Sequence, residues 1–286
     1  MDTQAPSNCE PLSLTRSIGE FPIGNIPLHQ HQQAALTRAG LASEAISIHP
    51  HAWLAAADLT FLAATNTLLD NFLTPLAWRG ATPDLARTVT VAASFVIRYP
   101  WDLLRANEGY VDGLENSVLL GEVHPSAVLE GIVHLGAGSR ILPGVFIEGN
   151  VVVGAKCRIG PNCYIRGHTS IGDACHIGQS VEIKNSLILS RTSIGHLSYV
   201  GDSVIGEAVN FGAGTIISNF RHDGKNHRSM VDGQLLDTGR RKFGAIIGDH
   251  VHTGIHTSIY PGRKLWPNTS TRPGAIVQHD LRGADA

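Results

Sequence analysis

Arg166 and Lys184 stand 18 residues apart. A guanidinium presents a fork of donors and an ammonium a point charge, so the two brought together would hold a phosphate monoester or a similar anion. Around and after them fall Glu182-Ile183-Lys184, then Gly195-His196-Leu197-Ser198-Tyr199-Val200-Gly201-Asp202, then Val209-Asn210-Phe211-Gly212-Ala213-Gly214-Thr215-Ile216-Ile217-Ser218-Asn219-Phe220. An imidazole with an ordinary pKa of about 6.5 can take up a proton at neutral pH. Any single one of 15 histidines is more often a surface or hydrogen-bonded residue, so type alone assigns none. His250, His252 and His256 resemble a ligand set, but a metal needs converging geometry and supporting hydrogen bonds, so they read as solvated turns and no metal is expected. Gly136-x-Gly138 and Gly212-x-Gly214 lack the third glycine and the strand-to-helix setting of a dinucleotide fingerprint. The four cysteines include no C-x-x-C pair, which sets redox chemistry and a disulfide framework aside.

The elements that would position these groups are written in the spacing of aliphatic residues. From Val123 one returns every sixth position: Leu129, Leu135, Ile141, Ile147, Val153, Ile159, Ile165, Ile171, Ile177, Ile183 and Leu189. The register slips by one at Ile194 and again at Ile205, reaches Ile217, and resumes from Ile247 to Val277. Each hexad supplies a short strand and a turn, three hexads close a coil, and strands of successive coils lie about 4.8 Å apart. Residues 18 apart then stack, which places Arg166 and Lys184 on one face. The positions two before the aliphatics, among them Cys157, Cys163 and Cys175, should also point inward, as structural thiols. The expectation is a left-handed parallel β-helix of hexapeptide repeats over 121–286, with a polar loop insertion at 218–246 that leaves the solenoid and can reach a neighbouring subunit.

Glycine marks a boundary, with 6 of 31 up to Leu120 and 25 from Gly121 onward. Residues 1–120 read as a small α/β domain preceding the β-helix: 27–39 and 58–77 carry helical spacing, 88–97 reads as strand and 100–110 as a closing helix. The chain has 286 residues, 43% hydrophobic and 16% charged, with formal charge −2. That excludes a disordered chain and gives no basic patch for nucleic acid. The longest wholly apolar stretch, Ala52 to Ala57, is too short to cross a bilayer, and the N-terminus shows no basic-then-apolar leader, so a soluble, cytoplasmic protein without a membrane partner is expected.

The combination G-H-L-x-Y-x-G-D followed by N-x-G-A-G-T-I-x-x-N, over about 159–277, resembles the acetyltransferase domain of the bifunctional N-acetylglucosamine-1-phosphate uridyltransferase and glucosamine-1-phosphate acetyltransferase family, close to its archaeal sugar-1-phosphate nucleotidylyltransferase relatives. The resemblance implies an acetyl-CoA-dependent N-acetyltransferase acting on an amino-sugar 1-phosphate, working as a homotrimer with its groove between adjacent solenoids. It implies His196 as general base and Asn219 as a group orienting base or substrate. Arg166 and Lys184 would hold the sugar phosphate, and Tyr199, Asn210 and Lys225 the sugar. Ala213, Gly254, Ile255 and Pro273 would line the acetyl-CoA groove. Phe220, Ile255 and Pro273 depart from an expected tyrosine, serine and alanine, removing hydroxyl contacts. Arg240-Arg241-Lys242 reads as a solvated loop face, with contact to coenzyme phosphates as the other reading.

Glu20-Phe21-Pro22-Ile23-Gly24-Asn25-Ile26-Pro27-Leu28 and Tyr99-Pro100-Trp101-Asp102-Leu103-Leu104-Arg105-Ala106-Asn107-Glu108 look like the opening and closing segments of sugar nucleotidyltransferase domains. No glycine-rich nucleotide loop precedes Phe21, so a shortened remnant without nucleotidyl transfer, capping the solenoid, is expected. A nucleotidyltransferase using this region and a non-enzymatic β-helix scaffold or regulatory protein stay open as other function classes. Detectable acetyl-CoA turnover separates the scaffold from the enzyme.

Overall fold

The structure, a computed structural model, describes residues 8–283. The first residues, on which the absence of a leader was read, and the outermost ends of the two expected regions lie outside the described residues. From Val118 onward the chain winds into three parallel sheets of seven, eight and eight strands, the faces of a triangular solenoid. In chain order, the first face runs from Glu122–Val123 to His252–Thr253, the second from Val128–Glu130 to Ile276–Val277, and the third from Val118–Leu119 to Lys264–Leu265. Ile147, Ile165, Ile183 and Val200 sit in register down the second face. All four are fully buried, and each buried aliphatic stabilises the stack by about 1.5–3 kcal/mol. Period six therefore does here what period two does in a flat sheet: it sends one ladder inward per face.

Ile171 pairs with Ile188 and Ile177 with Ile194, so the coils shorten from 18 residues to 17. The register slips at Ile188, one residue before the hexad count gives, and Leu189 packs outside the solenoid rather than within it. Cys157, Cys163 and Cys175 are free, buried thiols in the solenoid core, and burial pushes Cys163 up to about 12. Their spacing predicted that placement.

Residues before the solenoid hold α1 (Leu28–Arg38), α2 (Ala56–Leu59) and α3 (Pro100–Asp112) around a four-stranded sheet. The helix expected over 58–77 is corrected: after one turn of 3-10 helix the chain forms the strands Thr67–Leu69 and Pro75–Arg79. The Asp70 carboxylate accepts from the N–H groups of Phe72 and Thr74 at 2.9 Å each, which closes a turn, and Pro75 cannot extend a helix. Its apolar residues, Leu68, Leu76 and Ala77, were a strand pair's buried side, not a helix stripe. The strand expected over 88–97 is two short strands, Thr88–Thr90 and Phe95–Val96.

This region packs on the third face. Outward residues there, Val152, Ser170, Leu187, Val204 and Ile246, are buried, and Leu187, Val204 and Ile246 join one cluster with Phe21, Ile23, Trp101 and Leu103. Asn107 of α3 is the polar pin: Oδ1 accepts from Gly24 N–H at 3.1 Å and Ser170 Oγ at 2.6 Å, while Nδ2 donates to His168 O at 2.8 Å. Gly24, with φ 55°, lets Tyr110 approach to where a Cβ would stand 2.1 Å from its ring.

The insertion is not a loop that projects away. Arg228–Val231 and Gln234–Asp237 form an antiparallel hairpin turned by Asp232-Gly233, and the segment folds back so that Val231 and Phe243 enter the cluster under α3. Asp-Gly between alternating apolar residues is a hairpin signal that the polar stretch before it masked. Arg240, expected on a solvated face, forms an ion pair with Glu108 of α3.

Candidate active site on the second face

Alternation along each strand of the second face sends the middle residue inward and its two neighbours outward. Arg166 and Lys184 are laterally paired in adjacent strands, as are Glu182 and Tyr199. The outward columns thus interleave charges of both signs. Glu182 Oε1 accepts from Arg166 Nε at 3.0 Å and Nη2 at 2.7 Å, and the Glu182 bond holds the guanidinium above its usual pKa range. Lys184 Nζ donates to Asp202 Oδ2 at 3.1 Å. The two cations stack as the spacing predicts, but each arrives with a carboxylate, so they form a charge-balanced network rather than a bare anion site. Donors remain: a guanidinium has five and Glu182 takes two, an ammonium three and Asp202 takes one.

Asp202, 2% exposed, is the hub. Its Oδ2 also accepts from Asn219 Nδ2 at 2.6 Å and its Oδ1 from Asn185 Nδ2 at 3.0 Å. Asn219 Nδ2 reaches the Tyr199 hydroxyl at 2.9 Å. Burial first, then the charges of Asp202 and Glu182, pushes the Tyr199 phenol up and keeps it neutral. Gly201 lies beneath this contact, where a Cβ would stand 2.5 Å from the Tyr199 oxygen and 2.6 Å from Asn219 Nδ2.

His196 ends the strand Ser193–His196 on the first face, and Tyr199 begins the next strand on the second. The turn between them carries Leu197 at φ 50°. The His196 ring is exposed, and its carbonyl accepts from Gly214 N–H at 3.1 Å and Ser198 Oγ at 2.8 Å. Its neighbour His176 is held below the ordinary imidazole range by burial, Arg158 and His196 itself. Successive turns stack along this edge: His256 N–H donates to Ala213 O and Gly274 N–H to Ile255 O, both at 2.8 Å. Gly254 is sandwiched tightly, a Cβ there standing 2.5 Å from the Arg272 and Pro273 backbone. Ala213, Gly254, Ile255 and Pro273 therefore form one column continuing from His196, and Asn210 lies on the adjoining first face between Ser193 and His252.

Lys184, Tyr199 and Asn219 are thus joined through Asp202, with Arg166 and Glu182 stacked beside them, on the side of the second face toward the third. His196 and the turn column stand at the other edge of that face, and Asn210 lies on the first face, level with Ser193. Lys225 is placed elsewhere, in the insertion, lining a basin of about 560 Å³ with Arg221, Arg228 and Arg241. Glu182, Asp202, Asn185 and Glu108 are the site residues that sequence reasoning left without roles. Glu182 and Asp202 were findable, 16 and 18 residues from the cations they hold. His250, His252 and His256 are exposed, and among the described residues no group of three or more His, Cys, Asp or Glu side chains is arranged to hold a metal ion. No described helix is long and apolar enough to cross a membrane.

Residues 147–271 match the family model of the GMPPB C-terminal domain. Over its C-terminal part the chain is 44% identical, across 182 residues, to the bifunctional sugar-1-phosphate nucleotidylyltransferase/acetyltransferase of Sulfurisphaera tokodaii, covering 64% of this chain and 45% of that protein. It is 51% identical across 185 residues to the bifunctional protein GlmU of Methanococcus maripaludis, covering 65% and 44%. The chain spans less than half the length of these relatives. Among solved structures, the polysialic acid O-acetyltransferase OatWY aligns over 59% of this chain and 81% of its own at 17% identity and TM-score 0.28.

Proposed function

From the kinship of its C-terminal part with GlmU and the sugar-1-phosphate nucleotidylyltransferase/acetyltransferases, we propose that this chain transfers an acetyl group from acetyl-CoA to the nitrogen of an amino-sugar 1-phosphate, glucosamine 1-phosphate or a close analogue. The observation that carries the reading is that the second face holds a network rich in unused donors, reaching through Tyr199 toward the edge where the exposed His196 and a backbone-lined column stand. Arg166 and Lys184 hold the phosphate with the donors their carboxylates leave unused. Tyr199, Asn219 and Asn210 hold the sugar. His196 takes the proton that the amine nitrogen loses as it bonds to the thioester carbonyl carbon; the carbon–sulfur bond then breaks and the thiol leaves protonated. Backbone amides and the exposed Ile255 along the column suit a donor arm of alternating amide and methylene groups. Lys225 joins the sugar subsite only if the insertion of one copy reaches the edge of another.

In this reading 121–286 carries the chemistry, while 1–120 caps the third face without nucleotidyl transfer. Leu197, Ile216, Ile255 and Ile276 leave an apolar fringe, 62%, 43%, 51% and 60% exposed, along the same edge, which supports a homotrimer that covers it. Thiol release from acetyl-CoA tests the reading against a panel of amino sugars and their 1-phosphates. Release with the phosphorylated amino sugars is expected. No release with any member overturns it, and a monomer by light scattering at micromolar concentration overturns the trimer.

A further inference from the structure

The N-terminal region touches the candidate acceptor site through one side chain. Glu108, on α3, lies between the insertion and the turn joining the second and third faces. Arg240 engages both oxygens of its carboxylate, Nη1 donating to Oε2 at 3.2 Å and Nη2 to Oε1. Asn185 Nδ2 also donates to Oε1, at 2.7 Å, and the same nitrogen donates to Asp202 Oδ1 at 3.0 Å. Two carboxylates facing one amide settle its orientation, because turning it over would set its oxygen against both charges. The Asn185 Oδ1 consequently lies buried without a partner. An unmatched buried oxygen costs stability, so the amide is held where it is by the demand for both of its hydrogens.

Resting on the acetyltransfer reading, we infer that Glu108 is a positioning residue for the acceptor: through Asn185 it fixes Asp202, and Asp202 in turn fixes Lys184 and Asn219 against Tyr199. Every link is a hydrogen bond of 2.6 to 3.1 Å, and three of the five groups it reaches are those placed on the phosphate and sugar. The remnant domain thereby serves the site from the side opposite the donor column. A purely structural clasp would hold the region on without aiming Lys184 or Asn219. Arg16 is such a clasp, donating to Asp249 Oδ2 at 2.6 Å and Glu207 Oε2 at 3.0 Å outside this network.

The test compares Glu108→Gln, which keeps the shape, Glu108→Ala and Arg16→Ala by melting and by steady-state thiol release, varying glucosamine 1-phosphate and acetyl-CoA separately. Glu108→Ala should raise the acceptor KM about tenfold and Glu108→Gln about threefold, the scale of one charge-assisted bond partly or wholly lost, with the acetyl-CoA KM within about twofold of wild type. Arg16→Ala should lower the melting temperature and leave both KM values alone. Asn185→Ala combined with Glu108→Ala should raise the acceptor KM no further than either alone, since both cut one path. An unchanged acceptor KM in folded Glu108→Gln and Glu108→Ala overturns the inference while the acetyltransfer reading stands. So does an equal rise in Arg16→Ala, which would reduce the effect to general loosening. A wild-type chain that turns over no acceptor overturns both.

Discussion

Gly201→Ala adds a single methyl group beneath the contact between Tyr199 and Asn219. Gly201 is not in the left-handed region, so alanine fits the backbone and the whole effect is steric. The new Cβ would stand 2.5 Å from the Tyr199 oxygen, 2.6 Å from Asn219 Nδ2 and 2.9 Å from the ring carbon bearing the hydroxyl, where ordinary contact begins at 3.4 Å. The phenol must retreat by about 0.9 Å, from 3.4 minus 2.5, and Asn219 by about 0.8 Å. Overpacking of this size costs about 1–3 kcal/mol, and the half-buried Tyr199 can swing outward, which puts the loss near 1 kcal/mol. The chain should therefore still fold, with a small drop in melting temperature. Displacing an orienting group by about 1 Å costs up to 10²-fold in rate, so kcat/KM for the amino-sugar phosphate should fall about 10- to 100-fold while the acetyl-CoA KM holds. Gly195→Ala, whose Cβ meets nothing within 4 Å, is the matched control and should melt as wild type. A folded Gly201→Ala protein with wild-type acceptor kinetics would show that Tyr199 and Asn219 never touch the acceptor.

Three further outcomes follow from the same geometry. His196→Ala removes an exposed ring, so melting should move by less than about 0.5 kcal/mol while turnover falls about 10²- to 10⁴-fold; wild-type turnover would make His196 a turn residue only. Lys184→Met leaves the buried Asp202 carboxylate with amide donors alone, which should cost about 3 kcal/mol in urea unfolding, and it should weaken phosphorylated acceptors far more than unphosphorylated ones. Equal weakening of both acceptor types would put Lys184 outside the phosphate subsite. Burial first, then the His51 and Arg98 charges, holds His49 down to about 4 from 6.5. The unfolded chain takes that proton first as pH falls, so stability is whole above pH 6.5 and declines toward pH 4. His49→Gln should flatten that limb of the melting profile, and an unchanged limb would assign it to other groups.

The solenoid was legible because its contacts repeat at a fixed short separation. Ile165 meets Ile183 for the same reason that Ile147 meets Ile165, so one spacing written many times carries the fold. The stacking of Arg166 on Lys184 came from that rule, and so did the inward thiols. Their carboxylates needed one further step: reading outward columns as well as inward ones, which would have set Glu182 beside Arg166 and Asp202 beside Lys184. Contacts outside the period gave no such signal. Glu108 meets Asn185 across 77 positions and Arg240 across 132, each once, and no spacing rule anticipates a single meeting. The strands at Thr67–Leu69 and Pro75–Arg79 were misread because short apolar runs suit either period, and the turn at Asp70 between them decided the outcome.

The N-terminal region also bears on where the chemistry can sit. A three-faced solenoid has three edges, and two of them border the third face, whose outward residues from Val152 to Ile246 are buried under the N-terminal cluster. The remaining edge joins the first and second faces, and along it stand the exposed His196, Leu197, Ile255 and Ile276. In the proposed function, a long donor lying along the solenoid and a second copy covering its apolar fringe would both take that edge. Glu108 reaches the same site from behind, across the turn at Asn185, without occupying it. One docking event thus closes a face to ligands and braces the opposite wall of the site. The N-terminal region is therefore a support of the solenoid: detaching it would expose Leu187, Val204 and Ile246 and leave Asn185 with one carboxylate in place of two.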